Sequence, residues 1–381
     1  MIRVEIKAEL LRWARERAGL GRDELLRPFP KLDAWERGEL RPTLRQVESY
    51  ARRTRVPVGY LFLPTPPHEQ IPIPDFRTMG GRTLGRPSPD LLETIYICQE
   101  RQDWYREHAR RSGEDPLPFV ASATLQSDVI DVAARMREAL GFDLDERASV
   151  RGWTDALRRF LEQADELGIL VMVSGVVLNN TRRKLDPEEF RGFALVDDHA
   201  PVVFVNGADT RAAQMFTLAH ELAHVWLGQS ALSDVQPSVG SAHATEHWCN
   251  QVAAELLVPL AWIRGAYDAS KSLPSEIQRL AHQFKVSTLV ILRRLHDAGF
   301  LGRQELWSAY EVERDRLLDQ PRRSGGSFYD TELARVSEPF ARALVGSTLE
   351  GHTLYRDAFR LFGISKLATF QELGRRLGFA G

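Results

Sequence analysis

A chain of 381 residues, 43% hydrophobic and 27% charged, is too long for one ordinary domain and too apolar for wholesale disorder. A formal net charge of -2 excludes a global electrostatic preference, so any nucleic-acid contact must come from a local patch. The only cysteines, Cys98 and Cys249, stand far apart, which excludes a disulfide framework and fits a reducing compartment. The charged start, Met1-Ile2-Arg3-Val4-Glu5, does not read as a signal peptide, and the longest nearly apolar stretch, 169–178, is too short to cross a bilayer. A cytoplasmic protein without membrane contact is expected.

The first residues, 1–66, read as one small all-α domain. Ile6, Leu10, Leu11 and Ala14 share a helix face that Gly19 and Gly21 close, and a second short helix over 23–27 stops at Pro28 and Pro30. Thr43, with Gln46 three residues on, caps a further helix through Val47, Tyr50 and Ala51. Pro64, Pro66, Pro67, Pro72 and Pro74 then mark a stiff extended connector. With the helix expected from Asp90 to about Arg110, this connector makes up residues 67–120.

Residues 121–305 read as the central domain. Two amphipathic helices come first, through Val129, Ile130, Ala133, Met136 and Leu140, then through Leu157, Phe160, Leu161, Ala164 and Leu167. Strands follow over 169–173, 190–196 and 202–205, rich in β-branched and aromatic residues. A helix from an Asp209 or Thr210 cap to Gly228 carries His220-Glu221-Leu222-Ala223-His224. Residues four apart share one helix face with about 6 Å of rise, so His220 and His224 aim both imidazoles at one point. Glu221 stands beside them as the candidate general base, the division of labour of HExxH metallopeptidases, with Zn2+ as the expected cofactor. The strand 202–205 is a candidate for pairing with an extended substrate, and equally for an ordinary sheet strand.

Zinc needs a third protein donor and an open position. The next helix, from Thr245 to just before Pro259, offers Glu246 and Asn250 four apart, a carboxylate to bind metal and an amide to orient a ligand histidine. This Glu-x-x-x-Asn spacing favours Glu246, while His243, His247 and Cys249 are also chemically able to bind zinc. Helices, a small sheet and two facing helices give an α+β, mostly helical fold. A helix pair over 275–301 has Leu280, Phe284, Val286, Leu289 and Leu292 as its core and reads as scaffolding. After it, 320–327 reads as a linker within a helical C-terminal tail, 306–381.

The run Phe216-Thr217-Leu218-Ala219-His220-Glu221-Leu222-Ala223-His224 and the run from Glu246 through Cys249, Asn250, Val252, Ala253, Ala254, Leu256 and Leu257 to Pro259 resemble the ImmA/IrrE metallopeptidases. The resemblance is closest over 165–300 and implies a zincin-like domain. It makes His220, His224 and Glu246 zinc ligands, Glu221 the base, and a helix-turn-helix transcriptional repressor the protein substrate. Cys249 stands where the family usually has Ala, and Val252 where it has Phe.

Residues 1–63 resemble the XRE-type, lambda-repressor-like helix-turn-helix through Asp23-Glu24-Leu25, Trp35-Glu36-Arg37-Gly38 and Pro42-Thr43-Leu44. From Met1 to Arg55 there are fourteen Lys/Arg against nine Asp/Glu, a local surplus that suits DNA. Arg22, Arg27, Lys31, Arg37 and Arg41 are then the candidates for phosphate contact. The pattern departs between Leu26 and Trp35, which is short and holds Pro28 and Pro30, and at Arg22, where glutamine is usual. The alternative to a peptidase is a DNA-binding regulator whose peptidase-like domain serves as a sensor or docking module.

Overall fold

The computed structural model describes residues 2–76, 78–79, 82–83, 87–233, 244–318 and 328–379. The chain forms two compact units, one of residues 1–72 and 84–93, the other of 73–83 and 94–381. His243, Arg77 and the linker read at 320–327 lie outside the described residues.

The first unit holds α1 (Ala8–Arg17), α2 (Arg22–Leu26), α3 (Leu32–Glu36), α4 (Leu44–Thr54) and a single 3-10 turn, Val58–Phe62. Thr43 and Gln46 form the reciprocal cap that their spacing predicts: the Gln46 N–H donates to the Thr43 hydroxyl and the Thr43 N–H to the Gln46 side chain. The two prolines are exposed. They bracket Phe29, whose buried ring meets Tyr50 edge-on at 5.3 Å. Tyr50 in turn donates its phenol to the Leu11 carbonyl at 2.8 Å, tying α4 to α1. Phe29 is thus the core residue of an otherwise exposed stretch, and α3 is left only five residues long.

The second unit starts with a hairpin of β1 (Thr78–Met79) and β2 (Arg82–Thr83). It takes in most of α5 (Pro89–Ser112), then α6 (Val129–Leu140), α7 (Leu144–Ser149) and α8 (Trp153–Glu166). Next come β3 (Leu170–Ser174), β4 (Gly192–Leu195), β5 (Val202–Asn206), α9 (Arg211–Leu227), β6 (Ala231–Ser233) and α10 (Ala244–Leu257). The helices α11 (Leu260–Ala266), α12 (Leu273–Phe284), α13 (Thr288–Asp297), α14 (Arg303–Leu318), α15 (Phe328–Val336), α16 (Glu338–Leu349), α17 (Tyr355–Phe362) and α18 (Leu367–Arg376) complete it. The fold is α+β, and no described helix is long and apolar enough to cross a membrane.

The strands lie in the order β3-β5-β4-β6, with β3 and β5 parallel and the other pairs antiparallel. Every position of β4 and β5 is buried because both faces are covered. Val171, Ala194, Val203 and Val205 join the core shared with α9. On the opposite face Met172 meets Cys98 of α5, and the Gln102 amide donates to the Leu195 and Ala200 carbonyls at 2.8 and 2.9 Å. Both thiols are buried: Cys98 lies here, and Cys249 lies in the α9–α10 core. The tail continues into the same unit, with α15 and α16 packed against β3.

The topology decides between the two readings of residues 202–205 in favour of an ordinary sheet strand. β5 is an inner strand, hydrogen-bonded to β3 on one side and β4 on the other, so it has no edge to offer a substrate. Short β6, which sequence reading missed, extends the sheet beyond β4. Its outer edge is itself taken: the Leu232 N–H donates to the Pro74 carbonyl and its carbonyl accepts from the Phe76 N–H, both at 2.9 Å.

The join between α8 and α16 carries a pH-dependent load. The Asp165 carboxylate accepts from the Ser337 hydroxyl at 2.8 Å and from the Val171 N–H at 3.2 Å, and burial pushes its pKa up to about 7. An unfolded aspartate titrates at about 3.9. The folded state therefore binds the proton more tightly, and the chain loses stability as pH rises from about 4 to about 7. Asp165→Asn keeps the acceptor and removes the charge. Its Tm should gain on the wild type between pH 5 and pH 8, by roughly 2–4 °C per kcal/mol recovered. An equal Tm difference at both pH values would refute this.

Candidate metal centre

The helix α9 is delimited by local chemistry. The Thr210 hydroxyl accepts from the Ala213 N–H at 3.2 Å, and Gly228 ends the helix in the left-handed region at φ +75°. No proline or glycine interrupts it, and it is buried on all sides from Gln214 to Leu227. His220, Glu221 and His224 are each 0% exposed, so their polar atoms must be satisfied inside the protein.

The facing helix α10 brings Glu246 to the imidazoles. Glu246 Oε2 lies 3.2 Å from His220 Nε2, Glu246 Oε1 lies 3.1 Å from His224 Nε2, and the two ring nitrogens are 3.1 Å apart. One turn along α10, Asn250 Oδ1 lies 3.1 Å from His220 Nδ1. Nδ1 then donates to the amide oxygen, which turns the lone pair of Nε2 toward Glu246 and His224. Lone pairs thus converge at separations too short to be comfortable without a shared positive charge. Four ligands around zinc at about 2.0–2.2 Å stand roughly 3.3–3.5 Å apart, close to the spacing here. The donor set fits a zinc ion on chemistry and on distance.

Other candidates fall away from this cluster. His247 is exposed and does not join the cluster. Cys249 is buried among apolar neighbours, and that burial, with the charges of Glu246 and Glu221, raises its thiol well above the ordinary range. Among the described residues, a second group, Asp197, Asp198 and His199, also gathers donors, but it is partly exposed and engaged with Arg106 and Arg110.

Among the described residues, neither Glu221 oxygen has a hydrogen-bond partner at normal geometry. Burial, reinforced by the charge of Glu246, raises its pKa well above the usual carboxylate value, and the Ser233 hydroxyl works weakly the other way. Glu246 behaves oppositely: burial pushes it up, but His220 and His224 together overcome that and leave it at about 2. Two carboxylates in one buried site are thus held in different protonation tendencies, which separates a charge-binding group from a proton-transfer group.

Two residues that the sequence reading missed complete the site. Gly192 of β4 leaves room for α9, because a Cβ there would stand 2.6 Å from the Thr217 methyl, 2.8 Å from the Phe204 carbonyl and 3.0 Å from Glu221 Oε1. Ser233 of β6 is fully buried with its hydroxyl 3.2 Å from His224 Nε2. Neither has a spacing signature, because each reaches the centre through sheet pairing.

Three of the five candidate cations of the first unit are paired with carboxylates. Arg22 pairs with Asp33 at 2.7 Å, Arg37 with Glu39 at 2.8 Å and Arg41 with Glu5 at 2.9 Å. Arg27 and Lys31 are exposed on either side of Phe29.

No curated protein and no solved structure matches the chain. Residues 336–376, covering α16 to α18, match the model of a domain of unknown function, DUF8813. Residues 164–296, from the end of α8 to α13 and containing every residue of the centre, match the Peptidase_M78 model, described as the IrrE N-terminal-like domain.

Proposed function

We propose that the second unit is a zinc-dependent endopeptidase, with His220, His224 and Glu246 as metal ligands and Glu221 as general base. The observation that carries this reading is the convergence of two imidazole nitrogens and one carboxylate from facing helices, at separations of 3.1 to 3.2 Å. Zinc, when bound, supplies a Lewis acid that activates solvent and stabilises negative charge on the substrate oxygen. Glu221 takes the solvent proton as the peptide carbonyl is attacked and passes it to the departing amine. Asn250 keeps His220 in the tautomer that presents Nε2.

The substrate we propose is a helix-turn-helix transcriptional repressor, whose cleavage relieves repression. The peptidase-family match and the resemblance to ImmA/IrrE proteins support this choice. For the first unit we favour docking of a protein over reading of DNA: α3 has five residues, and three of its five candidate phosphate-binding cations already hold carboxylates.

The test is metal content together with cleavage of repressors encoded near the gene. The protein should purify with stoichiometric zinc, lose cleavage on chelation and recover it on adding zinc back. Cleavage that survives complete zinc removal would sink the reading.

A further inference from the structure

Ser233 stands in the candidate centre without a part in the chemistry above. It is the last residue of β6, paired across the sheet with Gly192. Both edges of β6 are occupied, by β4 on one side and by Pro74 and Phe76 on the other. The strand therefore fixes the hydroxyl rather than leaving it to swing. A buried serine usually turns its hydroxyl to a nearby backbone carbonyl. Ser233 instead points into the cluster, with Oγ 3.2 Å from His224 Nε2 and 3.5 Å from Glu246 Oε1.

The shorter of these separations matches the spacing of the other donors, and the longer exceeds it by about 0.3 Å. The three edges of the His220, His224 and Glu246 set measure 3.1 to 3.2 Å. A tetrahedral donor set has edges of roughly 3.3–3.6 Å, and Ser233 Oγ lies 3.2 Å and 3.5 Å from two of its corners, which brackets the lower end of that range. A solvent molecule ready for Glu221 to deprotonate would need the same place.

Resting on the reading of this site as a zinc centre, we propose that Ser233 is a fourth protein donor that closes the centre at rest. Solvent or substrate reaches the open corner only when the end of β6 withdraws. The protein is then a latent peptidase, and its rate is set in part by how often β6 releases the hydroxyl. The extended segment 74–76 supports the closed arrangement, because its two hydrogen bonds to Leu232 hold the residue next to Ser233.

The experiment uses the full chain with cobalt(II) in place of zinc, comparing wild type, Ser233→Ala and Ser233→Thr. Wild type should show a four-coordinate visible spectrum that small anions and acetohydroxamate perturb weakly. Ser233→Ala should shift that spectrum, bind acetohydroxamate at least about tenfold more tightly and give up metal to a chelator about tenfold faster. It should also hydrolyse peptide faster than wild type. Ser233→Thr, which keeps the hydroxyl, should restore the wild-type spectrum and chelator rate; a Tm near wild type for either variant shows that the site is read in folded protein. Identical spectra and equal hydroxamate binding in wild type and Ser233→Ala would overturn the closed corner while leaving the zinc reading intact. A slower Ser233→Ala enzyme with an unchanged spectrum would overturn it too, making the serine an aid to catalysis. Failure of every form to bind cobalt or zinc would remove both readings at once.

Discussion

Glu221→Gln is expected to reduce peptide cleavage by about 10²–10⁴-fold while zinc stays bound in full. Glutamine matches glutamate in shape, so it occupies the space beside Gly192 and Thr217 without a clash or a cavity. What it lacks is a group able to take a proton. The substitution also replaces a buried carboxyl whose charged form is disfavoured by burial and by Glu246. Stability should hold or rise, since an uncompensated buried carboxylate is costly. Metal analysis, thermal melting and cleavage of the same preparation separate these effects. Full cleavage by a zinc-loaded variant would mean that the base lies elsewhere.

Glu255→Ala is expected to be the most damaging single change away from the centre. Glu255 and Arg294 form a buried ion pair joining α10 to α13, each with a side chain 5% exposed. Arg294 also donates to the Val258 carbonyl at 2.8 Å, and the Leu260 N–H reaches the Glu255 carboxylate at 3.2 Å. Removing one partner strands the other charge, which costs about 3–5 kcal/mol. The lower end of that range applies because Asp297 stays 3.4 Å from the guanidinium. Urea unfolding should show the loss as a lower midpoint at unchanged slope. The combined Glu255→Leu and Arg294→Met variant should recover much of it, since two matched apolar groups replace two charges. If the single variant were as stable as wild type, the pair would be ornamental. Because α10 also carries Glu246 and Asn250, weaker zinc retention should accompany the loss.

The parts of the fold written in short-range chemistry were legible in the sequence. Thr43 with Gln46, Thr210 and Gly228 are caps whose geometry follows from a few adjacent residues. The meeting of His220 with His224 follows from helical pitch alone. The α+β class was legible from the change of period between helical and extended stretches. Long-range pairing was not. The strand order β3-β5-β4-β6 places a strand read as a possible edge in the middle of the sheet, and nothing within residues 202–206 could say so. β6 has three residues, too few to show alternation, and α7 is a polar turn of helix with little apolar pattern. Gly192 and Ser233 were invisible for the same reason, since their importance comes from what other segments place beside them. In the first unit, Pro28 and Pro30 read as an interruption, whereas Phe29 between them packs against Tyr50.

The two thiols described on opposite sides of the sheet give this protein a built-in stopwatch. Reaction with a disulfide reagent needs thiolate and access, and the folded state denies both: burial lifts the Cys98 thiol to about 12 and Cys249 well above its usual value. Labelling can proceed only through openings of the α5 layer for Cys98 or of the α9–α10 layer for Cys249. The rates at the two sulfurs therefore time the breathing of the two faces separately, in a chain that needs no engineered probe.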